Sequence, residues 1–322
     1  MTAPPGSRTS ARRQERHGRR TRRTRRIRRA VVVAVVLSAL GSWLVLSRPS
    51  AGAPAGAAVS ASATGPADGA DTATAHATQD ASNTSDAADA AGAALDAALG
   101  ALGGHFAVAV TDPGSGASAV RGEDAFVTAS IVKVDILAAL LLRGDGVLTA
   151  AQKAAAELMI EQSDNAAAST LFEAVGGASG LDAANAVFGL TGTVAGTDGF
   201  WGLTETTAAD QARLLRVVFT EDSPLGPASR AYLAELMGLV ADGQDWGVSA
   251  ADQGGAVRLK NGWLPRDGTG LWVVNSIGRI EYGGRSLLVS VLSDGSASEE
   301  AGIALVESVA SAAVRAFADA TQ

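Results

Sequence analysis

The chain has 322 residues, 47% of them hydrophobic, no cysteine, three histidines and a formal net charge of −7. The missing cysteine excludes a disulfide scaffold, a Cys–His catalytic pair, a thiolate metal site and attachment as a lipoprotein. Its positive charge is written almost wholly as arginine, 23 residues against the three lysines Lys133, Lys153 and Lys260.

Residues 1–29 hold twelve arginines and one acid, Glu15, and residues 30–47 hold no charge. A basic flank before an apolar run of this length predicts one membrane-spanning helix with its N-terminus in the cytoplasm. The alternative is a signal segment cleaved near the small residues Ala51-Gly52-Ala53, giving a secreted protein. Thr24-Arg25-Arg26 lacks the rest of a twin-arginine motif. Residues 48–93 are alanine, glycine, serine, threonine and aspartate with scattered proline and no apolar period, which predicts a disordered tether reaching about 35–40 Å. Residues 30–322 carry fourteen basic and thirty-two acidic side chains, a net charge of −18. Membrane topology therefore accounts for the arginine block, and nucleic acid is not an expected partner. Residues 94–320 are long enough to bury a large core as one two-lobed domain.

In that domain, residues 105–111 and 117–121 flank the turn Asp112-Pro113-Gly114-Ser115-Gly116 and predict a hairpin. Residues 134–142, apolar except for Asp135, predict a largely buried helix. Thr149-Ala150-Ala151-Gln152 reads as a capping box, and alanine-rich helical stretches follow around 165–175, 207–220 and 227–240. Residues 256–259, 271–280 and 286–292 read as strands, and 298–318 as a final helix with Ser296 and Glu299 as a second capping box.

Ser130-Ile131-Val132-Lys133 leads into the buried helix. Residues three apart share a helix face, so the Ser130 hydroxyl lies over the Lys133 amine. Arginine stays protonated in proteins, but a buried lysine can be neutral and take the proton of an attacking hydroxyl. Histidine cannot fill that role downstream, because His17, His76 and His105 all precede Ser130 and no nucleophile-elbow motif pairs with His105. Two further segments carry suitable groups, Ser163-Asp164-Asn165 and Lys260-Asn261-Gly262. Taken singly, the first is an ordinary helix cap and the second a plain turn between strands.

In order and setting, these three segments resemble the Ser-x-x-Lys, Ser-Asp-Asn and Lys-Thr-Gly motifs of the class A β-lactamase and penicillin-binding serine enzymes, over roughly residues 94–320. The resemblance implies an α/β sandwich, with a mostly antiparallel sheet built from both chain ends, flanking helices, an all-helical lobe and a cleft between them. It implies Ser130 as acylated nucleophile, Lys133 as its base, Ser163 as proton relay and Lys260 as the positive charge that depresses Lys133. Asn165, Asn261, Gly262 and Trp263 would line the substrate, and the backbone N–H groups of Ser130 and Trp263 would form the oxyanion hole. The implied partner is a β-lactam or D-Ala-peptide-like acyl substrate, with no cofactor and no metal; the sequence carries no signal of oligomeric state, and a monomer is the default expectation.

Three departures shape the expectation. Asn261 stands where the family has threonine or serine, Trp263 is bulkier than the family's residue, and residues 166–207 contain no Glu-x-x-Leu-Asn. The acids there are Glu173, Asp182, Asp198 and Glu205, of which Asp198 is the candidate substitute base. Without a deacylating base an acyl-enzyme forms and persists. A true β-lactamase with another base and a silent peptide-binding module remain the alternatives. Trp201 and Trp246 read as packing residues, and Arg266 as a solvated turn residue.

Overall fold

The structure is a computed structural model that describes residues 88–322. The arginine-rich segment, the apolar run and the tether up to residue 87 lie outside the described residues. The first element, helix α1 over residues 88–99, includes positions 88–93 that composition placed in the tether. Ala91, Leu95 and Leu99 recur every fourth residue on one face and are fully buried.

Strands β1 (His105–Thr111) and β2 (Ser118–Arg121) form the expected hairpin, with Thr111 opposite Ser118. Its turn is held by Asp112, whose Oδ1 accepts from Gly114 N at 2.8 Å. From the C-terminal part come β5 (Arg258–Pro265), β6 (Trp272–Tyr282) and β7 (Arg285–Asp294). The sheet order is β2-β1-β7-β6-β5 and every neighbour is antiparallel. β1 pairs with β7 from His105↔Asp294 to Thr111↔Leu288, which joins the two ends of the domain. A separate two-stranded ladder pairs β3 (Phe126–Val127) with β4 (Glu205–Thr206).

Both faces of the sheet are covered, which is why β1 reads as a continuous apolar run. Ala107 and Ala109 join one core, and Phe106, Val108 and Val110 join the other. The second core is closed by α1 and by α8 (Glu299–Ala320) through Val306, Val309, Ala310, Ala313, Val314 and Phe317. Helix α8 is long and apolar enough to cross a bilayer, but this stripe is committed to the sheet. The first core includes the helical lobe: α2 (Val132–Arg143), α3 (Ala150–Glu161), α4 (Asn165–Val175), α5 (Gly177–Phe188), α6 (Ala208–Phe219) and α7 (Pro227–Met237).

The capping box of α3 is present, with Thr149 Oγ1 accepting from Gln152 N and Gln152 Oε1 accepting from Thr149 N. The second box is not. Ser298 caps α8, its hydroxyl accepting from Ala301 N, because the Ser296 backbone is already bridged to Trp272. Helix α5 had no counterpart in the sequence reading, because Gly176, Gly177 and Gly180 at its start mask the buried stripe Leu181, Ala184, Asn185 and Phe188. Asp135 in α2 is fully buried with Asn185 of α5 as its side-chain partner, and burial pushes its carboxyl up to about 8.

Candidate active site

Ser130 sits in a single 3-10 turn, Ala129–Ile131, that runs directly into α2. Ala129, immediately before it, has φ +48°, a left-handed conformation that a non-glycine residue adopts at a cost. This kink presents the half-buried Ser130 at the sheet edge, while Lys133, two positions into α2, is fully buried. The Lys133 amine is 2.8 Å from Ser130 Oγ, as the three-residue spacing predicted.

Ser163 and Asn165 meet the same amine. Lys133 Nζ lies 2.9 Å from Ser163 O, 3.0 Å from Ser163 Oγ and 2.8 Å from Asn165 Oδ1. Ser163 also has a left-handed backbone, φ +55°, which lets its carbonyl and its hydroxyl turn toward one atom. Asp164 caps α4, its carboxylate accepting from Ala167 N at 2.7 Å. The Ser163-Asp164-Asn165 segment is therefore both a helix cap and part of the cluster. Asn165 is exposed and Ser163 half-buried, so this side is open to solvent.

Lys260-Asn261-Gly262 lies inside β5 rather than in a turn. Strand β5 is a sheet edge, and the fully buried Lys260 reaches Ser163 Oγ at 3.1 Å and the Asn261 carbonyl at 3.1 Å. Ser163 Oγ thus bridges the two lysines. A Cβ on Gly262 would lie 2.6 Å from Ser130 N and 2.8 Å from Ile131 N, so glycine is what allows β5 to touch the serine's turn. Asn261 uses its amide nitrogen to grip the loop before β5, donating to Gln244 O at 2.9 Å and Trp246 O at 2.8 Å. Its buried Oδ1 has no hydrogen-bond partner among the described residues. Trp263 is half-buried and meets Trp246 edge to face at 5.7 Å between ring centres.

Two buried amines this close cannot both keep ordinary basicity. Burial first, and then the charge of Lys260, holds Lys133 well below the usual lysine range, and Asp164 pulls it partly back. Burial pushes Lys260 down to about 7. An amine of lowered basicity next to a serine hydroxyl, with a second hydroxyl bridging to another amine, is an arrangement suited to moving a proton off one oxygen and onto a leaving group.

Of the four acids in residues 166–207, none bonds to Ser130 or Lys133. Glu173 and Glu205 are exposed, and Asp182 accepts from Ala195 N. Asp198 is exposed and accepts from the Thr197 hydroxyl at 3.3 Å. His105 is engaged at the sheet end with Asp294 at 2.6 Å and Asp124 at 3.3 Å. Arg266 is an exposed turn residue, its N–H donating to Leu271 O.

Sequence reasoning missed Asn275. It faces Gly262 across the β5–β6 ladder, donates to Val127 O at 2.8 Å and Thr128 O at 3.0 Å, and accepts from Ser293 N at 3.0 Å. It ties the sheet to the segment that carries Ser130. The available signal was a polar pair, Asn275-Ser276, between the apolar run Trp272-Val273-Val274 and Ile277. Trp201, read as a packing residue, has its ring centre 4.8 Å from Lys133 Nζ.

The family model described as "Beta-lactamase enzyme family" matches residues 144–317, more than half of the chain, including Ser163, Asn165 and Lys260. Among solved structures, a mutant of the class A β-lactamase of the last common ancestor of Gram-negative bacteria is 25% identical, with TM-score 0.58, covering 71% of this chain and 98% of that one. A class A β-lactamase from Bacteroides cellulosilyticus is 18% identical, with TM-score 0.60, covering 72% and 99%. A PBP-A mutant, solved as its acyl-enzyme complex with penicillin G, is 21% identical, with TM-score 0.60, covering 72% and 97%. No curated protein matches the chain.

Proposed function

The chain belongs to the beta-lactamase enzyme family, and from that premise we propose that it is a serine hydrolase that forms an acyl-enzyme at Ser130 on a β-lactam or D-Ala-peptide-like amide. The observation that carries this reading is the buried Lys133 amine, 2.8 Å from Ser130 Oγ and depressed in basicity by burial and by Lys260. In this reading, neutral Lys133 takes the Ser130 proton as the oxygen bonds to the carbonyl carbon. The oxyanion is held by the backbone N–H groups of Ser130 and Trp263. As the C–N bond breaks, the proton passes from Lys133 through Ser163 Oγ to the leaving nitrogen, Lys260 supporting the relay from the other side. Asn165 positions the substrate amide, and Gly262 and Trp263 form the wall opposite it.

The acyl-enzyme persists in this proposal, because no carboxylate of residues 166–207 bonds to the Ser130–Lys133 pair. Binding and retention of penicillin is the behaviour expected, in the manner of the PBP-A complex with penicillin G. The domain is proposed to work outside the cytoplasm, held to the membrane by residues 30–47, or released if that segment is cleaved. Intact-protein mass spectrometry of the detergent-solubilised full chain with penicillins and cephalosporins tests the proposal. A long-lived adduct that disappears in Ser130→Ala is the expected result. Absence of any adduct or hydrolysis across the panel removes β-lactams as substrates.

A further inference from the structure

Lys133 Nζ has four oxygen acceptors within 3.0 Å, on Ser130, Ser163 and Asn165. A further contact is aromatic. Trp201 opens a short 3-10 turn, Trp201–Leu203, and its ring centre is 4.8 Å from the amine. The indole is anchored, because its Nε1 donates to Ser169 Oγ on α4 at 3.1 Å. The turn is anchored too. The buried Thr204 donates its hydroxyl to Trp201 O at 2.7 Å and accepts Gly196 N at 3.1 Å, and its carbonyl accepts from Thr128 N at 2.8 Å, two residues before the serine. The loop cannot thicken at Gly196, where a Cβ would fall inside the Phe200 carbonyl. Trp201 is thus fixed to the helical lobe on one side and to the serine's own segment on the other.

We infer that Trp201 is a positioning residue that keeps the Lys133 amine dry and bars water from it, so that Ser130 is acylated readily and the acyl group is retained. This rests on the proposed Ser130 acyl-enzyme for its kinetic half, and on the contact alone for the other half. An aromatic face attracts an ammonium, which opposes deprotonation, but it also excludes water, which favours it. The ring is part of what buries the amine, and burial is the leading cause of the downward shift at Lys133, so in the proposed role exclusion outweighs attraction. The charged groups facing the amine are Lys260 from β5, which adds to that shift, and Asp164 at the start of α4, which opposes it.

After acylation the returned, neutral Lys133 could take a proton from a water molecule. The water oxygen would bond to the ester carbonyl carbon, the carbon–Oγ bond would break, and the proton on Lys133 would pass to Ser130 Oγ. Trp201 covers one side of the amine, with its ring centre 4.8 Å from Nζ, and so leaves no place for such a water on that side.

The full chain contains only three lysines, so lysine labelled with 13C at Cε gives three signals, assignable by substitution. Their pH titration and the lifetime of the penicillin adduct are measured in wild type, Trp201→Ala and Trp201→Phe. In Trp201→Ala the Lys133 midpoint rises by about one unit or more, acylation at neutral pH slows, and adduct release quickens by roughly tenfold. Trp201→Phe keeps a ring over the amine while losing the bond to Ser169, and stays near wild type in both readouts. A Lys133 midpoint unmoved in Trp201→Ala, or Trp201→Phe behaving like Trp201→Ala, overturns the inference. Should wild type form no adduct, the Ser130 acyl-enzyme fails, and the titration alone still decides the role of Trp201.

Discussion

Replacing Gly262 with alanine tests the contact on which the geometry of the cleft depends. The added Cβ would lie 2.6 Å from Ser130 N, 2.8 Å from Ile131 N and 2.8 Å from Thr128 O. All three are backbone atoms, so no side chain can rotate away. Non-bonded carbon contacts settle at roughly 3.5–4.0 Å, so β5 and the Ala129–Ile131 turn must separate by about 1 Å. Overpacking of this kind costs about 1–3 kcal/mol. For a domain of this size that is a fall in Tm of roughly 2–12 °C. The chemical consequence is larger in proportion. A displacement of about 1 Å between a nucleophile and its oxyanion donors lowers a rate on the order of 100-fold. The assay is the second-order rate of penicillin adduct formation at Ser130, with thermal melting as the companion measurement. A variant that melts lower but acylates within about threefold of wild type would refute the idea that β5 and the serine turn form one rigid unit.

Four further outcomes follow from the same structure. Asn275→Ala strands Val127 O and Ser293 N and leaves Thr128 O only the longer bond from Ile131 N at 3.4 Å, and at about 1–3 kcal/mol for each orphaned group the loss in urea unfolding should reach about 2 kcal/mol or more; a loss below about 1 kcal/mol would mean that Asn275 does not tie the sheet to the serine segment. Lys133→Arg puts a permanent cation where a base is needed, so acylation should drop by roughly 100-fold or more. In wild type the rate should rise with pH through a midpoint well below the ordinary lysine range, and a rate flat from acid to alkaline pH would exclude neutral Lys133 as base. Asp135 has a folded value of about 8, above the unfolded 3.8, so its contribution is fully present below 3.8 and is lost as pH rises toward 8. Asp135→Asn cannot ionise, and its Tm advantage over wild type should grow between pH 5 and 8; a constant difference would contradict the burial argument.

Much of this protein is legible in local pattern. The β1–β2 hairpin, the buried helix after Ser130 and the Thr149 capping box follow from period, turn chemistry and cap residues, which act over a few neighbours. The Ser130–Lys133 contact belongs with them, because a three-residue spacing on a helical turn fixes it without help from the rest of the chain. Helix α5 was not legible, since three glycines oppose it locally and only the packing of Leu181, Ala184 and Phe188 into the lobe makes it stable.

The sequence by itself determined which groups are available: a serine, two lysines, a second serine, and no downstream histidine to compete with them. Tertiary structure decided what those groups are. The depression of both lysines comes from burial between the sheet and the helical lobe, and from the approach of residues 97 positions apart at Ser163 and Lys260. The fit of Gly262 against Ser130 N, the bond from Asn275 to Val127 O and the placement of Trp201 over the amine are likewise contacts between distant segments. Basicity and close approach depend on what surrounds a group in space, and a linear pattern does not carry that information.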